Sequence, residues 1–270
     1  MMSYKFLSIE VEDGVGIINL NRPPANSLNE EFTAELGKAF DEVKENDEIK
    51  VVMLKSNLPG FFIAGADIKM FAQMTPEEGK QVSYDLQRVI DKLEDMEKIS
   101  IAVLSGFTLG GGLEVALGCD FRFACKKVKI KDKERDVMIG LPETNLGLLP
   151  GAGGTQRLSR IIGAKKALFF ISQGAQMSSE EAYRLGIVEK LYDTDEELFE
   201  ESLKFAKMLA KRAVKAIGYA KYAIYKGYNK DMPEALEIEN EMFFKAFQTE
   251  DCKEGLNAFI EKRKPEFKGC

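Results

Sequence analysis

Histidine is absent from the 270-residue chain. Without it neither a Ser-His nor a Cys-His nucleophile can be built, and histidine-ligated metal sites are excluded. Proton transfer near neutral pH must then fall to carboxylates, Lys, Tyr, Cys or backbone-held water. Cysteine is scarce: Cys119, Cys125, Cys252 and Cys270 show no C-x-x-C spacing, so neither a zinc knuckle nor a redox motif is indicated. Reduced thiols in a cytoplasmic protein are the expectation. Positive charge is not in excess, since 38 Lys and Arg stand against 44 Asp and Glu and leave a net charge of -6. That balance argues against nucleic acid or an anionic membrane as partner. No apolar run approaches the roughly 20 residues that cross a bilayer. Met1 to Glu12 alternates polar and apolar residues and carries acids, unlike the basic-then-apolar build of a signal peptide. Low-complexity stretches and internal repeats are also missing.

What is there suits one large domain, or one domain with an appendage. Phe6–Glu12 and Val15–Leu20 flank Asp13-Gly14, a hairpin signal. Asn21-Arg22-Pro23-Pro24 breaks the second strand. Phe32, Leu36, Phe40 and Val43 recur at helical spacing, and Val51–Leu54 reads as a short buried strand. After Pro59-Gly60 comes Phe61-Phe62-Ile63. Thr75-Pro76-Glu77-Glu78 is a helix start, with Thr at the N-cap, Pro first and Glu third. Its helix runs on through Val82, Leu86, Val89, Leu93 and Met96. Ile99–Leu104 reads as a buried strand, Gly111–Leu117 as an apolar helix and Asp120–Ala124 as a further strand. Strands and helices alternate up to about residue 194, which predicts an α/β architecture. From about Asp195 the strand signals stop, and Leu198–Lys226 and Pro233–Arg263 read as amphipathic helices. A core over 1–194 that holds the functional site, followed by a helical region over 195–270, is the expected organisation.

Two glycine-rich segments stand out. In Ser105-Gly-Phe-Thr-Leu-Gly-Gly-Gly-Leu-Glu114, between a buried strand and a helix, three consecutive glycines expose backbone N–H groups at a helix start. The helix dipole there favours a developing negative charge. A glycine triplet equally serves as a tight turn where strand and helix pack closely. No Gly-Lys-Ser/Thr follows, so it is not a Walker A loop. In the second segment, Gly140 to Arg157, Glu143 sits in an apolar, proline-bounded stretch. It either caps local amides or is held desolvated, which would raise its pKa toward neutrality. Glu114 could simply complement the helix N-terminus. The two acids lie 29 residues apart, so only the fold can bring them together. A third segment, Phe61 to Lys69, carries Ala-Gly-Ala at a strand end, where a ligand can approach the backbone.

Taken together and in order, Asn21-Arg-Pro23, Ala64-Gly-Ala-Asp-Ile-Lys69, Leu109-Gly-Gly-Gly-Leu-Glu114, the run Leu141 to Arg157 and the closing Glu254 to Pro265 resemble the crotonase superfamily, and within it the enoyl-CoA hydratases. The likeness runs from about Tyr4 to Phe267. It implies a ClpP/crotonase-like ββα spiral core with a C-terminal helical trimerisation region, and a homo-hexamer built as a dimer of trimers. It also implies an oxyanion hole made by the N–H groups of Ala66 and Gly111, which bind the thioester oxygen. One such donor is typically worth about 10²–10³ in rate. Hydratases of the family carry both the Glu of the Gly-Gly-Gly-x-Glu motif and the Glu after Leu-Pro, whereas isomerases commonly lack the first. By that resemblance Glu114 helps activate the attacking water, Glu143 gives a proton to the α-carbon, and the Gly151 N–H helps hold the water. CoA contacts are implied for Ala25, Ala64, Asp67, Ile68 and Lys69. Phe259 and Lys262 match residues that reach CoA on a neighbouring subunit, although Lys262 reads equally as a solvated helix charge. No metal and no separate cofactor are implied, coenzyme A being part of the substrate.

The chain departs from the family pattern in two places. Lys126–Met138 is longer than the usual link before Gly-x-Pro-Glu, and nine of its thirteen residues are charged, so a solvated loop is expected. Pro24-Ala25 lacks the basic residue some relatives carry there. Hydration of a 2-enoyl-CoA in fatty-acid β-oxidation or related acyl-CoA metabolism is the activity expected. The alternatives are Δ3-Δ2-enoyl-CoA isomerisation, a specialised cyclic or dienoyl thioester, and an RNA-binding homologue.

Overall fold

Asp13 and Gly14, both at positive φ, turn β1 (Leu7–Glu12) back on β2 (Val15–Leu20) in the hairpin that the sequence predicts. The computed structural model describes residues 3–131 and 133–270, so Met1, Met2 and Asp132 lie outside the described residues. Asn29 caps α1 (Glu30–Glu45), whose Phe32, Leu36, Phe40 and Val43 are buried. β3 (Val51–Ser56), β4 (Gly60–Ile63), the single turn α2 (Ile68–Phe71) and α3 (Pro76–Asp95) follow. Thr75 and Glu78 close the expected capping box at the head of α3, with the Thr75 hydroxyl accepting from Glu78 N and the Glu78 carboxylate from Thr75 N. Next come β5 (Ile99–Leu104), β6 (Gly106–Leu109), α4 (Gly111–Gly118), β7 (Phe121–Cys125), β8 (Lys127–Ile130), β9 (Lys133–Asp136) and β10 (Met138–Gly140). A 3-10 turn, Pro142–Leu146, leads into α5 (Gly154–Ile162), α6 (Ala164–Ser172), β11 (Gln176–Ser178), α7 (Ser179–Arg184) and β12 (Lys190–Tyr192). Four helices end the chain: α8 (Asp195–Ala210), α9 (Val214–Gly227), α10 (Met232–Phe247) and α11 (Glu250–Ile260).

The strands sort into a six-stranded sheet, β1-β2-β3-β5-β7-β12, and a four-stranded sheet, β11-β10-β6-β4. Successive turns of chain repeat one pattern. β3 joins the large sheet and β4 the small one, then β5 and β6 do the same, then β7 and β10. Within the large sheet all neighbours after β2 are parallel, as are β4-β6 and β6-β10 in the small one. This is the ββα spiral of the α/β fold expected from the sequence, with the helices between turns covering its faces.

Parallel strands covered on both faces read as unbroken apolar runs. Val52 and Leu54 of β3 therefore join the main core with Ile18, Leu20, Ala102 and Leu104, while Val51 and Met53 join a second core with Val15, Ile17, Ile101 and Val103. α8 closes that second core with Leu198 and Ala206. The region after residue 194 thus begins with a helix laid on the sheet, and α9–α11 follow it.

Lys126–Met138 is not a loop. Its described residues form the antiparallel pair β8-β9, with Lys127 opposite Asp136 and Lys129 opposite Glu134. The charge count hid an alternation: Val128 is buried, and Ile130 occupies the space above Gly60, where a Cβ would stand 2.8 Å from its Cγ1. The charged residues take the outer face and leave the pair its apolar anchor. The sequence also gave no sign of β6, which occupies part of the glycine-rich segment, nor of the three-residue strands β10, β11 and β12. The two long C-terminal helical readings are each divided, at 211–213 and at 248–249.

Candidate active site

Two turns of the spiral end side by side. β4 runs into Ala64-Gly65-Ala66, and β6 runs through Gly110 into α4. A Cβ on Gly65 would stand 3.3 Å from the Leu109 carbonyl oxygen, and one on Gly110 would stand 3.7 Å from Gly65 Cα. Glycine is what lets the two backbones approach this closely. Ala66 forms a parallel bridge with Leu28, made by Leu28 N donating to Gly65 O and Asp67 N donating to Leu28 O, each at 2.8 Å. Both bonds belong to the peptide groups flanking Ala66, so its own N–H points away from Leu28. Gly111 is the first residue of α4, where an N–H has no acceptor within the helix. Two donors without an acceptor among the described residues therefore lie on adjoining segments, one of them at the positive end of a helix.

The third turn brings Glu143. Gly110 N donates to Gly140 O at 2.8 Å, which sets the end of β10 beside the glycine loop. The 3-10 turn that follows is tied to the end of α6: Thr144 Oγ1 donates to Ile171 O and Asn145 Nδ2 to Gly174 O, each at 2.8 Å. Glu143 Oε1 lies 2.9 Å from where a Cβ on Gly110 would stand, and Oε2 is buried with no hydrogen-bond partner among the described residues. Burial pushes the Glu143 carboxyl above its usual range.

Glu114 is one turn into α4 and only 2% exposed. Its Oε1 accepts from Ala152 N at 2.7 Å and Gly154 N at 2.8 Å. Its Oε2 lies 3.9 Å from where a Cβ on Gly111 would stand. The two acids therefore border consecutive glycines, Gly110 and Gly111, that also carry one of the expected oxyanion donors. Burial pushes the Glu114 carboxyl up to about 7, against the two N–H donors and Arg157, and the nearby Glu143 charge adds to the rise.

Gly151 sits one residue before this loop. Its N–H has no hydrogen-bond acceptor among the described residues, while its carbonyl accepts from Ser83 Oγ and Gln87 Nε2, both at 2.6 Å. Sequence reasoning named Gly151 but missed Ala152 and Gly154, the N–H groups that touch Glu114, and the two α3 side chains behind them. The i, i+4 spacing of Ser83 and Gln87 on a helix was the one available signal.

The implied CoA residues divide into two groups. Ala64 N donates to Ala25 O at 3.1 Å, so these two are joined directly. Asn26, fully buried, pins the same loop by donating to Phe62 O and Ser56 Oγ at 2.8 Å. Asp67 pairs with Arg22 at 3.9 Å, and Ile68 and Lys69 follow on α2 with exposed side chains. Phe259 lies at the far end of α11 and Lys262 just past it, both exposed, and no hydrogen bond or ion pair ties them to residues 64–69. Within one chain the structure gathers Ala25, Ala64–Lys69, Gly111, Glu114, Glu143 and Gly151, and leaves Phe259 and Lys262 outside that group.

Comparison with known proteins gives a consistent result. Residues 10–270 match the family model described as enoyl-CoA hydratase/isomerase. A short-chain-enoyl-CoA hydratase of Clostridium acetobutylicum is 37% identical over 96% of this chain and 95% of its own length. A crotonyl-CoA hydratase of Syntrophomonas wolfei is 35% identical over 98% of this chain and 99% of its own. The crystal structure of an enoyl-CoA hydratase from Bacillus anthracis superposes with a TM-score of 0.90 at 34% identity, covering 98% of this chain and all of that one. With a family match over nearly the whole length and relatives of this identity, the chain belongs to the enoyl-CoA hydratase/isomerase family.

Proposed function

We propose that the protein is an enoyl-CoA hydratase, a lyase that adds water reversibly across the 2,3 double bond of a 2-enoyl-CoA to give a 3-hydroxyacyl-CoA in acyl-CoA metabolism. The observation that carries this is the pair Glu114 and Glu143 on either side of Gly110-Gly111. Isomerisation of a double bond can be run by one carboxylate that takes a proton and returns it. Hydration needs a group for the water and a second for the α-carbon, and two acids are present here.

Each group has a role that its surroundings favour. The N–H groups of Ala66 and Gly111 receive the thioester oxygen and stabilise its enolate-like charge. Glu114, held through Oε1 by two backbone donors, keeps Oε2 for the water that attacks the β-carbon. A base whose pKa lies near 7 is well matched to that task. Glu143, with its buried and unpartnered Oε2, delivers the proton to the α-carbon. In the reverse direction the same two groups exchange roles. Ala25, Ala64 and Asp67–Lys69 line the approach for the CoA part, with Phe259 and Lys262 supplied by a neighbouring copy.

That last assignment goes with a homo-hexamer, a dimer of trimers. Its support is the apolar surface of the C-terminal helices, where Ile224, Tyr228, Met232, Phe243, Phe247 and Phe259 are each more than half exposed in the single chain. A cytoplasmic location is proposed on the four free cysteines, two of them buried. Among the described residues no helix is long and apolar enough to cross a membrane.

The test is loss of the enoyl-thioester absorbance of crotonyl-CoA, a substrate chosen because two of the relatives are named for it or for short chains. Rapid conversion to 3-hydroxybutyryl-CoA, cut by about 10²–10⁴ in Glu143→Gln, is the expected result. Turnover that survives the substitution would remove Glu143 from the chemistry. Relocation of a 3-enoyl double bond without water uptake would replace hydration by isomerisation.

A further inference from the structure

α3 carries a polar stripe along one face. Ser83, Gln87, Asp91 and Glu94 follow one another at intervals of four, four and three residues, and all four bond to the segment 151–157. Asp91 and Glu94 hold Arg157, whose Nη1 donates to Ala152 O at 3.0 Å. Ser83 and Gln87 hold the Gly151 carbonyl from one side at 2.6 Å each. That carbonyl belongs to the same peptide group as the Ala152 N–H, and the Ala152 N–H donates to Glu114 Oε1 at 2.7 Å. A continuous chain of hydrogen bonds therefore runs from α3, through one peptide unit, to the carboxylate.

We propose that Ser83 and Gln87 are positioning residues for Glu114, acting through the Gly151–Ala152 peptide. Two donors on the carbonyl fix the plane of that peptide, so its N–H stays aimed at Oε1 and Oε2 stays turned toward Gly111. They also polarise the peptide, which strengthens the N–H as a donor to a charged acceptor. Both effects favour the ionised, correctly turned form of Glu114. Two other charged groups face Glu114 from neighbouring elements, Glu143 from the 3-10 turn and Arg157 from α5, and behind Arg157 stand the α3 acids Asp91 and Glu94. None of them touches the Gly151 carbonyl, so removing Ser83 and Gln87 leaves that electrostatic frame in place.

This inference rests on the hydratase reading for its kinetic test, and a second test stands without it. In the full-length protein, Ser83→Ala with Gln87→Met removes both donors while keeping the volume close. With crotonyl-CoA as substrate, kcat should fall by roughly tenfold to a hundredfold, the equivalent of one or two lost hydrogen bonds. KM should stay within about twofold, because neither residue meets the CoA part. The limb of the pH profile that belongs to Glu114 should move up by about half a unit to one unit, since the ionised form loses a donor. Restoring the hydroxyl with Ser83→Thr alongside Gln87→Met should recover part of the rate and part of the shift. A fall in kcat with an unmoved limb, or a loss taken up in KM, would overturn the positioning role. Should the wild type not hydrate crotonyl-CoA, the hydratase reading fails on its own. The positioning role is then read from stability against pH: the pH-dependent component that Glu114→Gln removes should be centred higher in the double variant. An unchanged centre would overturn the proposal.

Discussion

In Glu114→Gln the side chain keeps its shape and one oxygen, which can still accept from Ala152 and Gly154, but loses its charge. Burial and the neighbouring Glu143 push the wild-type carboxyl from an ordinary 4.5 up to about 7. An unfolded chain would release this proton near 4.5. Between those two values the folded protein binds more protons than the unfolded one. Wild-type stability therefore falls as pH rises from about 4.5 through 7, and above 7 the whole loss is present. The shift corresponds to about 3 kcal/mol. The variant has no such charge to hold, so it should be more stable than the wild type by about that amount at pH 8.5. Near pH 5 the advantage should shrink to about 1 kcal/mol or less.

Thermal unfolding at fixed protein concentration, at pH 5 and pH 8.5, measures this directly. For a chain of this size about 3 kcal/mol is roughly 6–12 °C in Tm, and the variant should gain that much relative to the wild type between the two pH values. In the same preparation the hydratase rate should fall by about 10²-fold or more. A Tm difference that is the same at both pH values would refute the reasoning, because an uncharged loss of packing carries no pH dependence. A wild type more stable than the variant at pH 8.5 would refute it outright.

Three further outcomes follow from the geometry. Glu143→Gln removes the negative charge that helps raise Glu114, so the pH-dependent stability loss of the wild type should be centred lower in this variant, as the same thermal series would show. Gly112→Ala and Gly111→Ala should separate packing from chemistry: a Cβ on Gly112 falls on the Ile63 carbonyl and 2.9 Å from its carbon, whereas one on Gly111 meets side-chain ends, a Leu28 methyl at 2.8 Å, a Leu86 methyl at 3.5 Å and Glu114 Oε2 at 3.9 Å. Denaturant unfolding should show the first costing about 1–3 kcal/mol or more and the second clearly less, with activity lost in both. Lys221→Met strips the buried Asp120 of its cation, which sits 2.9 Å away, and should cost about 3–5 kcal/mol, with Asp120→Asn in the same chain recovering part of it.

The elements legible in the sequence were those whose signal is local. The Asp13-Gly14 hairpin, the capping box at Thr75 and the run Ile99–Leu104, apolar but for Ser100, each declare themselves within a few residues, and each is where the sequence puts it. The elements that escaped are set by long-range pairing. β10 has three residues and exists because Ile139 and Gly140 align with Thr108 and Leu109 of β6 on one side and with β11 on the other. Lys126–Met138 escaped for a related reason: within β8 only Val128 and Ile130 carry the alternation, in a segment with nine charges, and Ile130 is held by a glycine seventy residues earlier.

The same division runs through the candidate site. Glu114 and Glu143 were visible because an acid in an apolar stretch is unusual, and the residues 29 apart come to border the consecutive glycines Gly110 and Gly111 because successive spiral turns end at the same rim. The Ala152 and Gly154 donors were invisible as individuals, since a backbone N–H has no residue type. What the sequence could show was only the condition for them, small residues at 151–154 that let the loop close over a carboxylate: a Cβ on Gly154 would stand 3.0 Å from Glu114 Oε1. Those two N–H groups decide how much of the buried charge is compensated. They hold the Glu114 pKa down while burial drives it up, and the balance lands near neutrality. A loop that bonded the carboxylate more fully would give a more stable protein with a weaker base, and one that bonded it less would leave the base protonated at pH 7. The instability that Glu114→Gln should relieve is thus the same quantity that makes Glu114 usable as a base.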